Sequence, residues 1–452
     1  MPNSIVSKLL IALVVIVLVI LLLMPRVVGG SIQSATVDSL VNMVPVQSRG
    51  LVTVTQADFS SGWFSSDATV TVTLPGFPGT NSEPVLVNLE MEIQHGPLLF
   101  TARGPSLGLA YADISPIVSG LDTDELAEFT EQLDISEFDS DLYLLAGFDN
   151  SLRLGFGMGE VIITETTNAG NRMAIEGIES QVTLFSDRSL EGIFTLGETS
   201  LNSAAESLAV QIDSVDYDFR QGDIDELVSD AQGRLTIPFL SSTGPMPFEI
   251  TGTVLDSAVK LSEPGAATLD YSNLLAIESM QWTLPVTAVT WYLDINQLNR
   301  QILEDYYLIM QRLQPAGAGS TTPDANEIAQ IMEQMSLELI QQSLQLSSVL
   351  ELDAYGGDML VDLQLDWRGL PFVSSLAEID PGAAIDAVDF QLIIDADEAA
   401  VNQSPVRDLV NAYLGQGTPG NQNGRIRLEA NLSDGQLEIN GQSFPLGQLL
   451  GR

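Results

Sequence analysis

The chain contains a single histidine, His95, in the segment EIQHGPLLF, and no cysteine. A histidine serves as a general base when a carboxylate orients it and a nucleophile lies within reach. Serines and acids are plentiful, yet no G-x-S-x-G element marks a serine for that role. His95 ends an alternating apolar segment and precedes Gly96-Pro97, so its expected task is to shape a tight turn between two strands. One histidine without cysteine argues against a zinc site, and there is no thiolate nucleophile or disulfide framework. The densest acidic clusters, Asp122–Glu125 and Asp395–Glu398, lack the spacing and glycine of a calcium-binding EF-hand loop. Both are expected to be solvated; the first opens a helical pattern, where acids complement the helix dipole. Paired carboxylates for glycoside hydrolysis carry no signal among 60 acidic residues. The glycine-rich GFGMGE (Gly155–Glu160) lies between strand patterns with no helix after it, which is not a dinucleotide fingerprint. The residues thus predict no catalytic group, no cofactor and no metal.

The elements that position these residues begin with a membrane segment. Leu9–Met24 (LLIALVVIVLVILLLM) holds no polar residue. With Lys8 before it and Arg26 after it, residues 1–30 predict an N-terminal tail and an uncleaved transmembrane anchor. A cleaved signal peptide is the rival, but Gly29-Gly30-Ser31 after two valines fits a cleavage site poorly. Residues 31–45 carry a helical stripe closed by Pro45, a juxtamembrane helix. From 46 to 292 the period changes to two: GLVTVTQADF, SDATVTVTL, VLVNLEMEI and their successors alternate apolar and polar residues between Gly, Asn, Asp and Ser. That texture predicts a large, curved antiparallel sheet, buried on one face and wet on the other.

Residues 293–347 read as a helical hairpin, with Asp294 as the first N-cap and Pro323 opening the second helix. Residues 348–452 return to strands, with a short helix capped by Ser404 and a closing hairpin at Asn440-Gly441. The expected fold is therefore mainly β (α+β): a transmembrane helix, then a large curved sheet with a helical hairpin and short helices packed on it.

Charge excludes some partners. Sixty acidic residues against 17 basic ones give a net charge of −43, and Lys8 and Lys260 are the only lysines. Such a surface repels phosphates, so nucleic acid is not an expected partner. Hydrophobic residues at 45% argue against global disorder.

The segment FSSGWFSSDATVTVTL sets Trp63 and Phe64 between two serine pairs, at an expected connection between strands that Gly62 allows to bend. One of the two aromatics is expected to plug the open end of the sheet core. In order along the chain, Gly62, Trp63, Phe64 and Ser65, then His95, Gly96 and Pro97, then Asn440 and Gly441 resemble the marker turns of the YdgA-like family of bacterial envelope proteins, a domain of unknown function. The acidity and scarce lysine depart from that family. The resemblance implies an inner-membrane anchor with a β-rich periplasmic body; it supplies no catalytic mechanism. The expected function is a non-catalytic, single-pass inner-membrane protein that scaffolds or binds an envelope partner, in contact with the bilayer through residues 9–24. Two alternatives stay open: a carrier of lipid or another apolar ligand in a groove of the sheet, and a hydrolase using His95.

Overall fold

The computed structural model describes residues 53–62, 64–74, 85–101, 104–119, 133–136, 139–165, 171–203, 207–263, 265–283, 285–313, 325–414 and 420–445. The expected anchor, the juxtamembrane helix, Trp63 and the Asp122–Glu125 cluster lie outside them. No described helix is long and apolar enough to cross a membrane.

Strands dominate. The first part holds β1 (Thr53–Ser61), β2 (Ser65–Leu74), β3 (Val85–His95), β4 (Leu98–Thr101), β5 (Gly104–Leu107), β6 (Ala110–Ser119), β7 (Leu133–Ile135), β8 (Ser140–Ala146), β9 (Leu152–Met158), β10 (Val161–Glu165), β11 (Asn171–Ile175), β12 (Ile178–Leu184), β13 (Leu190–Leu196), β14 (Thr199–Ser203), β15 (Leu208–Ile212) and β16 (Val215–Gln221). The second part holds β17 (Ala231–Thr243), β18 (Phe248–Leu261), β19 (Thr268–Gln281), β20 (Val286–Asn299), β21 (Leu344–Ala354), β22 (Gly357–Trp367), β23 (Val388–Asp397), β24 (Gly420–Gln422), β25 (Arg425–Ser433), β26 (Gln436–Ile439) and β27 (Gln442–Pro445). Twenty-five of these form one antiparallel sheet, and β4 with β5 form a separate two-stranded one. Their Val, Thr, Ile and aromatic residues suit a pleated, half-buried surface.

The sheet runs β1-β2-β3-β6-β8-β9-β12-β13-β16-β17 and on through β18 to β23, β25, β26 and β27. β17 is a fork. Its first half pairs with β16, and its second half pairs with β15, which leads through β14, β11 and β10 to β7. The ends do not meet: among the described residues β1 pairs with β2 alone and β27 with β26 alone, so the sheet is open and no barrel closes.

Among the described residues the α-helices are α1 (Arg300–Leu313), α2 (Ala325–Gln341), α3 (Pro381–Asp386), α4 (Glu398–Gln403) and α5 (Arg407–Leu414). Two expectations are corrected here. The helix predicted from Asp294 starts at Arg300, because residues 294–299 belong to β20: Asp294 and Ile295 pair with both β19 and β21, Asn296 with β21, and Leu298 and Asn299 with β19. Two ladders of backbone hydrogen bonds outweigh the local helical spacing of Ile295 and Leu298. The cap is Asn299, whose Oδ1 accepts the Gln301 N–H at 2.9 Å. Likewise Ser404 ends α4, its hydroxyl donating to the Val401 carbonyl, and α5 begins only at Arg407. The expected type I′ turn does hold: Asn440 and Gly441 have φ of 47° and 78°, joining β26 to β27. Tyr355-Gly356, Asn423-Gly424 and Asp434-Gly435 carry the same pair of positive φ angles, and each joins two strands.

Candidate functional site

Direct cross-strand partners in an antiparallel ladder share a face, so the register defines two faces across the whole sheet. One continuous row is Ser66, Ile93, Ala112, Leu144, Leu154, Val182, Gly192, Phe219, Gly233, Ser257, Asn273, Leu293, Ser348, Leu363, Leu392 and Ala430. Beside it, over the eight long strands, runs Leu235, Leu255, Leu275, Trp291, Leu350, Val361, Ile394 and Leu428. Two more rows flank these, from Ile237 to Ile426 and from Ala231 to Leu432. None of these four rows of eight holds a charged residue. The opposite face carries the charge: one of its rows reads Arg234, Asp256, Leu274, Tyr292, Val349, Asp362, Ile393 and Glu429.

On the apolar face the two halves of the sheet differ. In the first half, Ala68, Val70, Met91, Ile93, Ala112 and Ile114 are buried in one cluster. Along the Leu235–Leu428 row every side chain is half-buried and none is fully buried. Among the described residues helices reach the margins: Val401 of α4 with Val410 and Leu414 of α5 pack on Met359, Ala396 and Ile426, and at the other side Trp367 Nε1 donates to the Ile340 carbonyl of α2 at 3.0 Å. The middle of the face holds a polar island. Ser257 Oγ donates to Asn273 Oδ1 at 3.2 Å, and Trp291 Nε1 donates to Ser348 Oγ at 3.0 Å. Eight strands about 4.8 Å apart make an apolar surface about 34 Å wide.

On the charged face, a cleft of about 830 Å³ crosses β12 to β20. Its lining mixes ion pairs with apolar side chains: Arg220 pairs with Glu191 at 3.3 Å and Arg234 with Asp256 at 3.7 Å, beside Ile193 and Leu274. Tyr292 stands exposed at its rim. The four charge-free rows lie on the other side of the sheet from the Arg220–Glu191 and Arg234–Asp256 pairs.

The structure brings two of the three marker turns together. Gly62 N–H bonds the Ser65 carbonyl at 2.8 Å and closes the β1–β2 hairpin. The His95 N–H donates to the Phe64 carbonyl at 2.9 Å, and Ser66 Oγ lies 2.9 Å from His95 Nε2. Gly96 follows without room for a side chain: a Cβ there would sit 1.7 Å from the Gly108 carbonyl oxygen. Asn440 and Gly441 lie at the other end of the strand order, away from both.

Ser66 is 2% exposed and His95 4%. A base and nucleophile work on a substrate atom held about 3 Å away, and both side chains of this pair are buried. Together with the His95 N–H to Phe64 carbonyl bond, the pair links the β1–β2 turn to the end of β3. Phe64 is 54% exposed, so the expected plug of the sheet core is not this ring; its carbonyl, not its side chain, makes the link to His95.

The acidic cluster at Asp395–Glu398 is not simply solvated. Arg425 donates to Asp395 and Asp397, and Asp358 lies 3.4 Å from the same guanidinium. The Asp395 hydrogen bond holds the Arg425 charge more firmly than usual. A cation already sits among these carboxylates, and it is the side chain of this arginine. Among the described residues no group of three or more His, Asp or Glu is placed to hold a metal. GFGMGE also has a packing reason, since a Cβ on Gly155 would overlap the Tyr143 ring, which stacks on Tyr111.

Two matching turns escaped the sequence reading. Asp149 Oδ1 accepts from the backbone and hydroxyl of Ser151, and Asp187 Oδ1 does the same with Ser189. Both carboxyls are held below their ordinary range by these serine hydrogen bonds. The signal was present as Asp-x-Ser before a leucine in both places: Asp149-Asn-Ser-Leu152 and Asp187-Arg-Ser-Leu190.

No curated protein and no solved structure matches the chain. A model of bacterial proteins of unknown function, DUF945, matches residues 7–447. With that match spanning the open sheet and its marker turns, the chain belongs to the DUF945 family.

Proposed function

We propose that the protein is a non-catalytic binding protein of the bacterial envelope that holds the acyl chains of a lipid against its apolar sheet face. In this reading residues 9–24 anchor it in the inner membrane, and the sheet stands in the periplasm. The order of the Gly62–Ser66, His95–Pro97 and Asn440-Gly441 turns supports placing it with the YdgA-like envelope proteins.

One observation carries the reading: four adjacent rows across eight strands exclude every charge, although the chain has 60 acids, and the central row stays half-buried. A face that only packs against protein would be sealed by a second layer. A face that receives a ligand stays partly open and apolar, with a few polar groups for orientation. The Ser257–Asn273 and Trp291–Ser348 hydrogen bonds are groups of that kind. The experiment is mass spectrometry of organic extracts from the purified full-length protein. Lipid that co-purifies with wild type and is lost in Leu350→Asp supports a carrier; repeated absence of lipid from wild type removes it.

A second reading is a scaffold that binds a protein partner by strand addition. The outer edge of β1 pairs with no described strand, and a strand edge of this kind can template another chain. A proline at Ala57 would weaken such a complex and leave lipid binding intact.

A further inference from the structure

The β4–β5 hairpin leaves the main sheet between β3 and β6 and is held there firmly. Leu99 is buried beneath it against Tyr111, Tyr143 and Leu145. Gln94 clamps the strand: its Nε2 donates to the Phe100 carbonyl at 2.9 Å, and its Oε1 accepts the Phe100 N–H at 3.0 Å. Side chains alternate, so the partners Leu98–Leu107 and Phe100–Pro105 share the opposite, outer face. All four are apolar and all four are exposed, with Phe100 at 68% and Leu107 at 70%. Phe64 in the β1–β2 turn and Phe148 in the β8–β9 turn stand exposed at the same end of the sheet.

We infer that this outer facet seats the protein on a lipid bilayer surface. Three points select that occupant. A stable protein interface uses roughly 20–30 residues a side, and six apolar side chains fall far short of it. A bilayer accepts isolated apolar tips, and rigid mounting means little ordering entropy is lost on insertion. The net charge of −43, with the ionised Asp149 beside Phe148, disfavours anionic lipid, so the surface is zwitterionic. This inference rests on the membrane-anchored reading above, because an anchored chain meets a bilayer at high effective concentration and a weak facet then suffices.

The cysteine-free sequence permits a clean test. Pro105→Cys, labelled with an environment-sensitive dye, is placed in full-length protein reconstituted into phosphatidylcholine bilayers containing spin-labelled lipid. The reference is the same dye at Phe372→Cys, a site 97% exposed in a different turn. The expected result is quenching at Pro105→Cys several-fold stronger than at the reference, falling to the reference level when F100D and L107D are added. Equal quenching at the two sites overturns the inference. So does unquenched dye together with efficient disulfide cross-linking between Pro105→Cys chains, which assigns the facet to a second copy. Lipid recovered from the purified protein despite unquenched dye would remove the facet's role alone and leave the carrier reading standing.

Discussion

The β2–β9 region and the β17–β25 region share one face of one sheet, and they use it differently. In the first, Val70, Met91 and Ile93 are sealed from water. In the second, Leu275, Trp291, Leu350 and Val361 continue the same face in the same register and stay half-exposed. The strands also differ in length, reaching 14 residues in β18, β19 and β20 against 7 in β8 and β9. Alternation alone does not distinguish a sealed face from a half-exposed one. The difference lies in what covers the face, and burial reports that where periodicity does not.

The largest expected effect comes from the sealed half. Met91→Ala should destabilise by about 3 kcal/mol, the usual cost of a buried large-to-small change, whereas Leu350→Ala should cost about 1 kcal/mol because its side chain already meets water. Denaturant midpoints would read both. Equal losses would mean the second half is covered as completely as the first, and the comparison would collapse.

Next is the Ser66–His95 pair. Removing the ring with His95→Ala leaves a buried hydroxyl without this partner and a small void, for about 2 kcal/mol. Thermal unfolding would show it. A pinning role predicts that Ser66→Ala also lowers stability, by about 1 kcal/mol; unchanged stability in both variants would contradict that role.

A smaller effect is expected at Arg425. Its guanidinium is partly exposed, so Arg425→Ala should cost about 1 kcal/mol at low salt and less at high salt. A loss that ignores ionic strength would argue against an electrostatic origin.

The smallest concerns acid. Asp149 and Asp187 have folded-state pKa values lowered from 3.8. Their contribution is present above that value and is lost as pH falls through the lower folded value. The combined Ser151→Ala and Ser189→Ala variant should be slightly less stable than wild type at neutral pH and indistinguishable from it in strong acid. Unfolding curves at the two pH values check this.

Much of the fold was legible because the pattern is local. Alternation in SDATVTVTL and VLVNLEMEI reports strands directly, and Asn440-Gly441 reports its own turn. The start of α1 was not legible, because Ile295 and Leu298 satisfy a helical period while the deciding force is pairing with β19 and β21. The contact between the Gly62–Ser66 and His95 turns spans 29 residues and needs the β2–β3 register to appear. The apolar face was half visible: each strand shows its apolar side, but only the register shows that eight such sides align without a charge between them. Arg425 gave no local hint of its carboxylates, which reach it from β22 and β23.

The most direct measurement is a titration of the full-length protein in detergent with a fluorescent acyl-chain probe, comparing wild type, Val361→Asp on the apolar face and Tyr292→Asp on the charged face. Saturable binding by wild type and Tyr292→Asp, weakened at least tenfold in Val361→Asp, is the predicted result. No saturable binding by wild type, or equal weakening by the two variants, would contradict an apolar binding face.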